Sequence, residues 1–363
     1  MSTTLASRLK WDLRLFASAA ALTLIGAVAM ASAGTTVHPT LAVRHAIWIG
    51  IGVAACVGIA RTNAHRWMDL AAVAYGVSLA LLGLVSVAGA MRLGATRWLS
   101  VSGLSLQPSE AAKLATTLLL ARYLAGQPNP LPMRAVWISL ALAGAPALLV
   151  FLQPDLGSAT VFGAIWLGMA WVGGLSRRAV AGVAGGLLAL VPLGWVLLRD
   201  YQRDRLLAFV NPHADPLGAG FSVIQSTIAI GAGQWWGRGW WAGTQTHLRF
   251  LPERHSDFIF SVIGEEWGFL GGVAVIGLLG VLLLRILRLA LRVSTPEWRG
   301  VAVGIFCWVA YQAVINLGMV TGLLPVVGVP LPLVSYGGSS MVTLWVALGM
   351  LQSVHRTSVL RQD

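Results

Sequence analysis

RDRLLAFVNPHADPLGAGFSVIQSTIAIGAGQWWGRGWWAGTQTHLRFLPERHSDFIFSVIGEEWG, residues 203–268, is the one long polar, glycine-rich interruption in a chain that is otherwise apolar. A connection of this length inside a compact fold is usually either functional or disordered. This one carries too many aromatic and β-branched residues for a solvated tether. It reads as an ordered loop packed on a membrane domain, and chemistry is sought there.

On either side the composition is that of a lipid-embedded protein. Hydrophobic residues make up 57% of 363 positions, charged residues 10%, and mean hydropathy is +0.76, beyond the range of ordinary soluble domains. Crossing a hydrocarbon core of roughly 30 Å takes about 20 apolar residues. About ten runs qualify: 15–31, 41–60, 70–90, 109–125, 135–152, 157–174, 180–198, 260–284, 300–321 and 338–354. The first follows Arg8, Lys10 and Arg14 and has the flanks of a signal peptide, but it is long for a signal core and is read as a span. The expectation is an all-α integral membrane protein of about ten transmembrane helices, forming a single polytopic domain over residues 1–363. One large extracytoplasmic loop, residues 199–259, separates helices 7 and 8.

Charge sets the expected orientation, because short cytoplasmic loops collect Lys and Arg. With both termini in the cytoplasm, fifteen of the 25 basic residues fall on the inner side. Nine of the thirteen acids fall on or near the outer side, so a polar site facing outward is expected. The net charge of +12 reflects this bias and attraction to anionic headgroups, and gives no argument for nucleic acid. Cys56 and Cys307 lie singly in apolar runs, where a thiol behaves as a small hydrophobe; neither a disulfide nor a metal cluster is expected.

Ionisable groups inside spans are costly and mark function by default. Glu110 and Lys113, in LQPSEAAKLA, share a helical face at a spacing of three; they are either a self-neutralising structural pair or part of a site. Asp155, in FLQPDLGSA, follows Pro154 and suits a helix cap, while a helix N-terminus also suits an anionic ligand. Asp257, in LPERHSDFIF, precedes an apolar run at the membrane boundary. It is a general-base candidate or another cap, with His255, Glu265 and Glu266 as rivals. Arg203 and Arg205, in YQRDRLLAF, either contact one phosphorylated group or pair with Asp200 and Asp204. No nucleotide-binding glycine fingerprint is present. Pro325, Pro330 and Pro332 prevent helix continuation between the last two spans. They wall a cavity or form a simple connector.

These blocks, together with DPLGAGFSVIQSTIAIGAG, GTQTHLRFLPERHSDFIFSVIGEEWG and NLGMVTGLLPVVGVPLPLVSYGGSS, follow one order along nearly the whole chain. In that order the chain resembles the SEDS family of bacterial shape, elongation, division and sporulation proteins. The GVPLPLVSYGGSS form and short tail are similar to the RodA branch of elongation more than to the FtsW branch of division. Departures are Ser256, where threonine is common, Val327, and the bulky Gln234-Trp235-Trp236 step.

The resemblance implies a peptidoglycan glycosyltransferase of the bacterial cytoplasmic (inner) membrane. It would polymerise lipid II on the outer face together with a class B penicillin-binding protein and other elongation-complex membrane proteins. It implies that Asp257 is the essential aspartate, that Glu110 and Lys113 line a cavity, and that Asp155 is a further cavity position. Gln225 and Ser226, inside the DPLGAG block, are counted with the substrate-binding or cavity residues. In the expected mechanism Asp257 takes a proton from an acceptor-sugar hydroxyl. Arg203 and Arg205, with Lys113 or a divalent cation (Mg²⁺ or Mn²⁺), then stabilise the undecaprenyl pyrophosphate leaving group; metal ligands are unassigned. Two competing readings are a lipid II flippase and a non-catalytic scaffold of the elongation machinery. Trp235, Trp236, Trp240 and Trp241 fit either sugar stacking or a membrane interface.

Overall fold

Lipid leaves backbone amides no partner but each other, so apolar runs of this length wind into helices, and each of the ten runs overlaps one. The computed structural model describes residues 11–35, 40–88, 90–92, 95–101, 104–248, 250–251 and 253–360. The first half contains α1 (Leu13–Thr35), α2 (Thr40–Ala60), α3 (His65–Asp69), α4 (Ala71–Ala88), α5 (Pro108–Ala125), α6 (Met133–Leu152), α7 (Leu156–Val172) and α8 (Arg177–Leu197). After a loop come α12 (Ile259–Arg292), α13 (Pro296–Val320) and α14 (Gly338–Leu360). Among the described helices, five are long and apolar enough to cross a membrane: α1, α2, α6, α12 and α13. With helices dominating and several of them long and apolar, the chain is an integral membrane protein.

Large apolar side chains cover the outside of the molecule as well as its core, and some polar ones enter the core. Leu84, Leu148, Leu152, Leu188, Ile276 and Leu284 are exposed on helix surfaces, while Glu110, Lys113, Gln312 and Asn316 are buried. In the packing, α1 lies along α12, α2 along α14, and α5 and α7 along α13.

The polar interruption is largely helical, with α9 (Asp200–Val210), a 3₁₀ turn (Pro212–Ala214), α10 (Phe221–Ala232) and α11 (Thr244–His247). The purely helical expectation needs one correction. Between α4 and α5 lies an antiparallel meander, β1 (Ala90–Arg92), β2 (Ala95–Val101) and β3 (Leu104–Leu106), paired β1–β2 and β2–β3. Its strands are too short for alternation to stand out beside the apolar runs, and Ala90, read as the end of a span, is the first residue of β1.

α12 is broken at Gly268, whose φ of 66° and ψ of −161° lie in a region essentially closed to other residues. A Cβ there would collide with Gly237 N and the backbone of Trp235, so glycine lets the loop strand rest directly on the helix. Residues 269–292 beyond the break span about 36 Å, enough to cross a bilayer core.

The two ends of α1 orient the bundle. Near its start, the Arg285 Nη2 atom on α12 lies 2.6 Å from Asp12 Oδ2, and Gln352 on α14 exchanges 2.9 Å hydrogen bonds with the Asp12 backbone. Near its other end Arg254, just before α12, donates to the Ala33 carbonyl at 3.1 Å. Residues 12 and 352 therefore lie at the end of the bundle opposite the Asp257 segment.

Candidate active site

Residues 253–258 form a turn leading into α12. The carbonyls of a pre-helical turn have no intrahelical partner and need one from elsewhere. Here three consecutive carbonyls find it. Tyr336 N donates to His255 O at 2.9 Å, Ser335 Oγ to Ser256 O at 2.6 Å, and Asn316 Nδ2 to Asp257 O at 2.9 Å. The turn is thereby fastened to α13 and to the proline-containing connector 321–337 between α13 and α14. The Asp257 side chain is half-buried. Its Oδ2 lies 3.4 Å from where a Cβ on Gly328 would stand, and Gly328 has φ +71°. Beside it His255 Nε2 is 3.7 Å from Glu253 Oε2. Burial pulls the imidazole below its ordinary pKa; Glu253 opposes this shift and Arg254 adds to it.

Asp155 lies on the other flank of the connector. It caps α7, Oδ1 accepting from Ser158 N at 3.1 Å, while Oδ2 accepts from Gln107 Nε2 at 3.3 Å. Gln107 in turn donates its backbone N–H to Ser339 Oγ at 2.8 Å. A Cβ on Gly157 would collide with Val327 O, so the α7 N-terminus abuts the connector. Capping and membership of a polar cluster are both realised.

The two arginines separate. Helix α9 carries both, and residues two apart on a helix do not face each other. Arg203 turns back to the end of α8, donating from Nε to Trp195 O at 3.0 Å and from Nη2 to Val196 O at 2.8 Å, with Asp200 Oδ1 at 3.5 Å. Arg205 is exposed, lies 5.6 Å from the Tyr201 ring, and lines a shallow open cleft with Pro154, Leu156, Tyr201, Val326 and Val327. That cleft adjoins Asp155 and the connector, so one arginine joins the cluster and the other braces the helix.

Glu110 and Lys113 form a buried ion pair at 2.7 Å, with Nζ 5.6 Å from the Trp308 ring on α13. Glu110 Oε2 and both amide atoms of Gln312 are buried without partners. Trp308, Gln312 and Asn316 recur every four residues and so share one stripe of α13, from the ion pair toward Asp257, about 12 Å along the axis. Attention to ionisable groups alone passes over Gln312 and Asn316, although uncharged polar residues in an apolar span were a readable signal.

Ser226 is an internal fastener: buried, its Oγ lies 2.7 Å from Ser261 Oγ and donates to Val320 O at 2.6 Å, tying α10 to α12 and α13. Gln225 beside it is half-buried. The rival acids face elsewhere. Glu265 Oε1 accepts from Gln245 N at 2.9 Å and Thr244 Oγ1 at 3.2 Å, and Glu266 accepts from Ser32 Oγ. Trp235 packs edge-on against Phe269 and Trp240 against Trp241, all four at least 44% exposed where the loop meets α12. Among the described residues no three His, Cys, Asp or Glu side chains converge as a metal-binding group.

A family model described as "Cell cycle protein", covering FtsW, RodA and SpoVE, matches residues 11–359. The peptidoglycan glycosyltransferase MrdB of Escherichia coli is 41% identical over 308 residues, covering 85% of this chain and 83% of that protein. Of solved structures, a chain from a study of the structural coordination of polymerization and crosslinking by a peptidoglycan synthase complex superposes with TM-score 0.83 at 38% identity, covering 97% and 99% of the two chains. The Rod shape determining protein RodA of Thermus thermophilus superposes with TM-score 0.72 at 32% identity, covering 95% and 97%. Matched end to end in sequence and in fold, the chain belongs to the FtsW/RodA/SpoVE family.

Proposed function

We propose that the chain is a peptidoglycan glycosyltransferase that polymerises lipid II at the outer face of a bacterial cytoplasmic membrane during cell elongation. In this reading both termini are cytoplasmic and loop 199–259 is extracytoplasmic. The observation that carries it is the half-buried Asp257 carboxylate, held on a turn pinned through three successive carbonyls beside a connector whose other flank presents Asp155 and Arg205. The names of the similar proteins agree with this chemistry.

Asp257 accepts the proton of the acceptor sugar's 4-hydroxyl as that oxygen attacks the donor's anomeric carbon. The bond from that carbon to undecaprenyl pyrophosphate breaks, and the configuration inverts. The leaving group is already activated, so the protein supplies a base and a cation rather than a nucleophile. Arg205, free of the α8 terminus, faces the developing pyrophosphate charge, and Arg203 holds α9 in place. In this reading the buried Glu110–Lys113 pair and Asp155 are the polar residues toward which a substrate cavity opens, and Gln225 and Ser226 belong to the loop helix packed on α12 and α13. A divalent cation (Mg²⁺ or Mn²⁺) would add to the positive charge that Arg205 supplies there. A class B penicillin-binding protein is the proposed partner.

Purified protein supplied with fluorescent lipid II tests this reading. Asp257→Asn should lower the polymerisation rate by about 10²–10⁴. Polymer formed at the unaltered rate removes Asp257 from the mechanism. Lipid moved between liposome leaflets without polymer makes the protein a flippase, and neither activity makes it a scaffold.

A further inference from the structure

We propose that Asn316, assisted by Ser335, is a positioning residue that sets where the Asp257 carboxylate stands; this rests on Asp257 being the base. Asn316 is fully buried on α13, an apolar helix. Its Nδ2 donates to two carbonyls that belong to neither α13 nor each other's segment: Asp257 O at 2.9 Å and Val329 O at 2.7 Å. These two carbonyls flank one contact, because Gly328, next to Val329, is the residue that Asp257 Oδ2 lies against. One amide thus fixes both sides of the place where the carboxylate meets the connector.

Packing alone does not account for the arrangement. Asn316 Oδ1 is buried without a partner, an arrangement that opposes stability and that an apolar residue of similar size would avoid. What the asparagine supplies is two donors aimed at irregular backbone. Ser335 repeats the device one residue earlier, donating to Ser256 O at 2.6 Å while accepting from Leu331 N at 2.8 Å. Helix α13 and the connector therefore grip adjacent peptides of the turn, and the carboxylate inherits its position from them. Misplacing a reacting group by 1 Å is enough to cost about 10²-fold in rate.

The test is Asn316→Ala, which leaves room for water to satisfy the two carbonyls but breaks the direct tie, measured in the full-length protein with fluorescent lipid II. The expected result is a kcat lowered about 10- to 100-fold, with KM for lipid II within about twofold and the detergent melting temperature little changed. Unaltered kcat, or a loss of kcat that only follows losses of melting temperature and lipid II affinity, overturns the proposal. If Asn316→Ala does not fold, Ser335→Ala decides by the same split. Asp257→Asn runs alongside. An active Asp257→Asn overturns the base assignment itself, whereas an inactive one beside a fully active Asn316→Ala overturns only this inference.

Discussion

Glu110 and Lys113 show how a membrane interior treats charge. Their side chains are 2% and 0% exposed and 2.7 Å apart, so each makes the other tolerable. Removing one partner leaves an uncompensated buried charge, and Glu110→Gln or Lys113→Met should each destabilise by about 3–5 kcal/mol. Replacing both by leucine should recover most of that stability without recovering polymerisation, since the proposed cavity opens toward the pair. Unfolding in detergent and lipid II turnover, measured on the same samples, check both halves. The arginines diverge in the same spirit. Arg205→Gln should lower kcat for lipid II polymerisation roughly tenfold or more, the worth of a hydrogen bond to a charge that develops in the transition state. Arg203→Gln should instead lower the melting temperature, because its partners are the last carbonyls of α8.

Helix α12 joins the site to the membrane. Its first nine residues, 259–267, are almost wholly buried and begin two positions after Asp257. The segment after Gly268 runs exposed apolar residues such as Val273 and Ile276 along the lipid-facing side. The break lets the two segments of α12 serve different environments while the backbone around Trp235 and Gly237 lies on it without side chains between. Gly268→Ala meets both an unfavourable backbone region, worth about 1–3 kcal/mol, and a collision with Gly237. It should therefore undock residues 234–245, and limited proteolysis should cut there before any other described segment. Cleavage unchanged from the parent protein would mean that the break is not what seats the loop.

The bundle as a body has two unlike ends. Residues 12, 285 and 352 cluster at one, joined by an ion pair and paired amide bonds, and Arg356 reaches Arg61 O at 3.1 Å on the same side. The loop, the connector and Asp257 occupy the other. If the second end faces outward, a cysteine at exposed Trp240 should react with a membrane-impermeant maleimide in intact cells. A cysteine at exposed Arg61 should react only after permeabilisation, with Cys56 and Cys307 replaced in both. Labelling of the Arg61 position from outside would invert the proposed topology.

Hydropathy alone determined that the chain enters lipid and roughly where its long apolar helices lie, because the bilayer imposes one length and one backbone solution on every crossing. Local spacing placed Glu110 and Lys113 on one face, and proline before aspartate marked Asp155 as a cap; both are effects of a single turn of helix. Local spacing could not tell that Arg203 and Arg205 part company, since that followed from residues 200–210 being helical rather than extended. Nor could it foresee the short meander, whose strands leave little pattern of their own beside the apolar runs. The grip of Asn316 on Asp257 joins residues 59 apart and that of Ser335 on Ser256 residues 79 apart. Such contacts exist only once α13 and the connector have been packed against the start of α12. The chemistry-bearing residue types are a property of the chain, but the position of the carboxylate is a property of the packed bundle, because irregular backbone takes its hydrogen-bond partners from whatever the fold brings beside it.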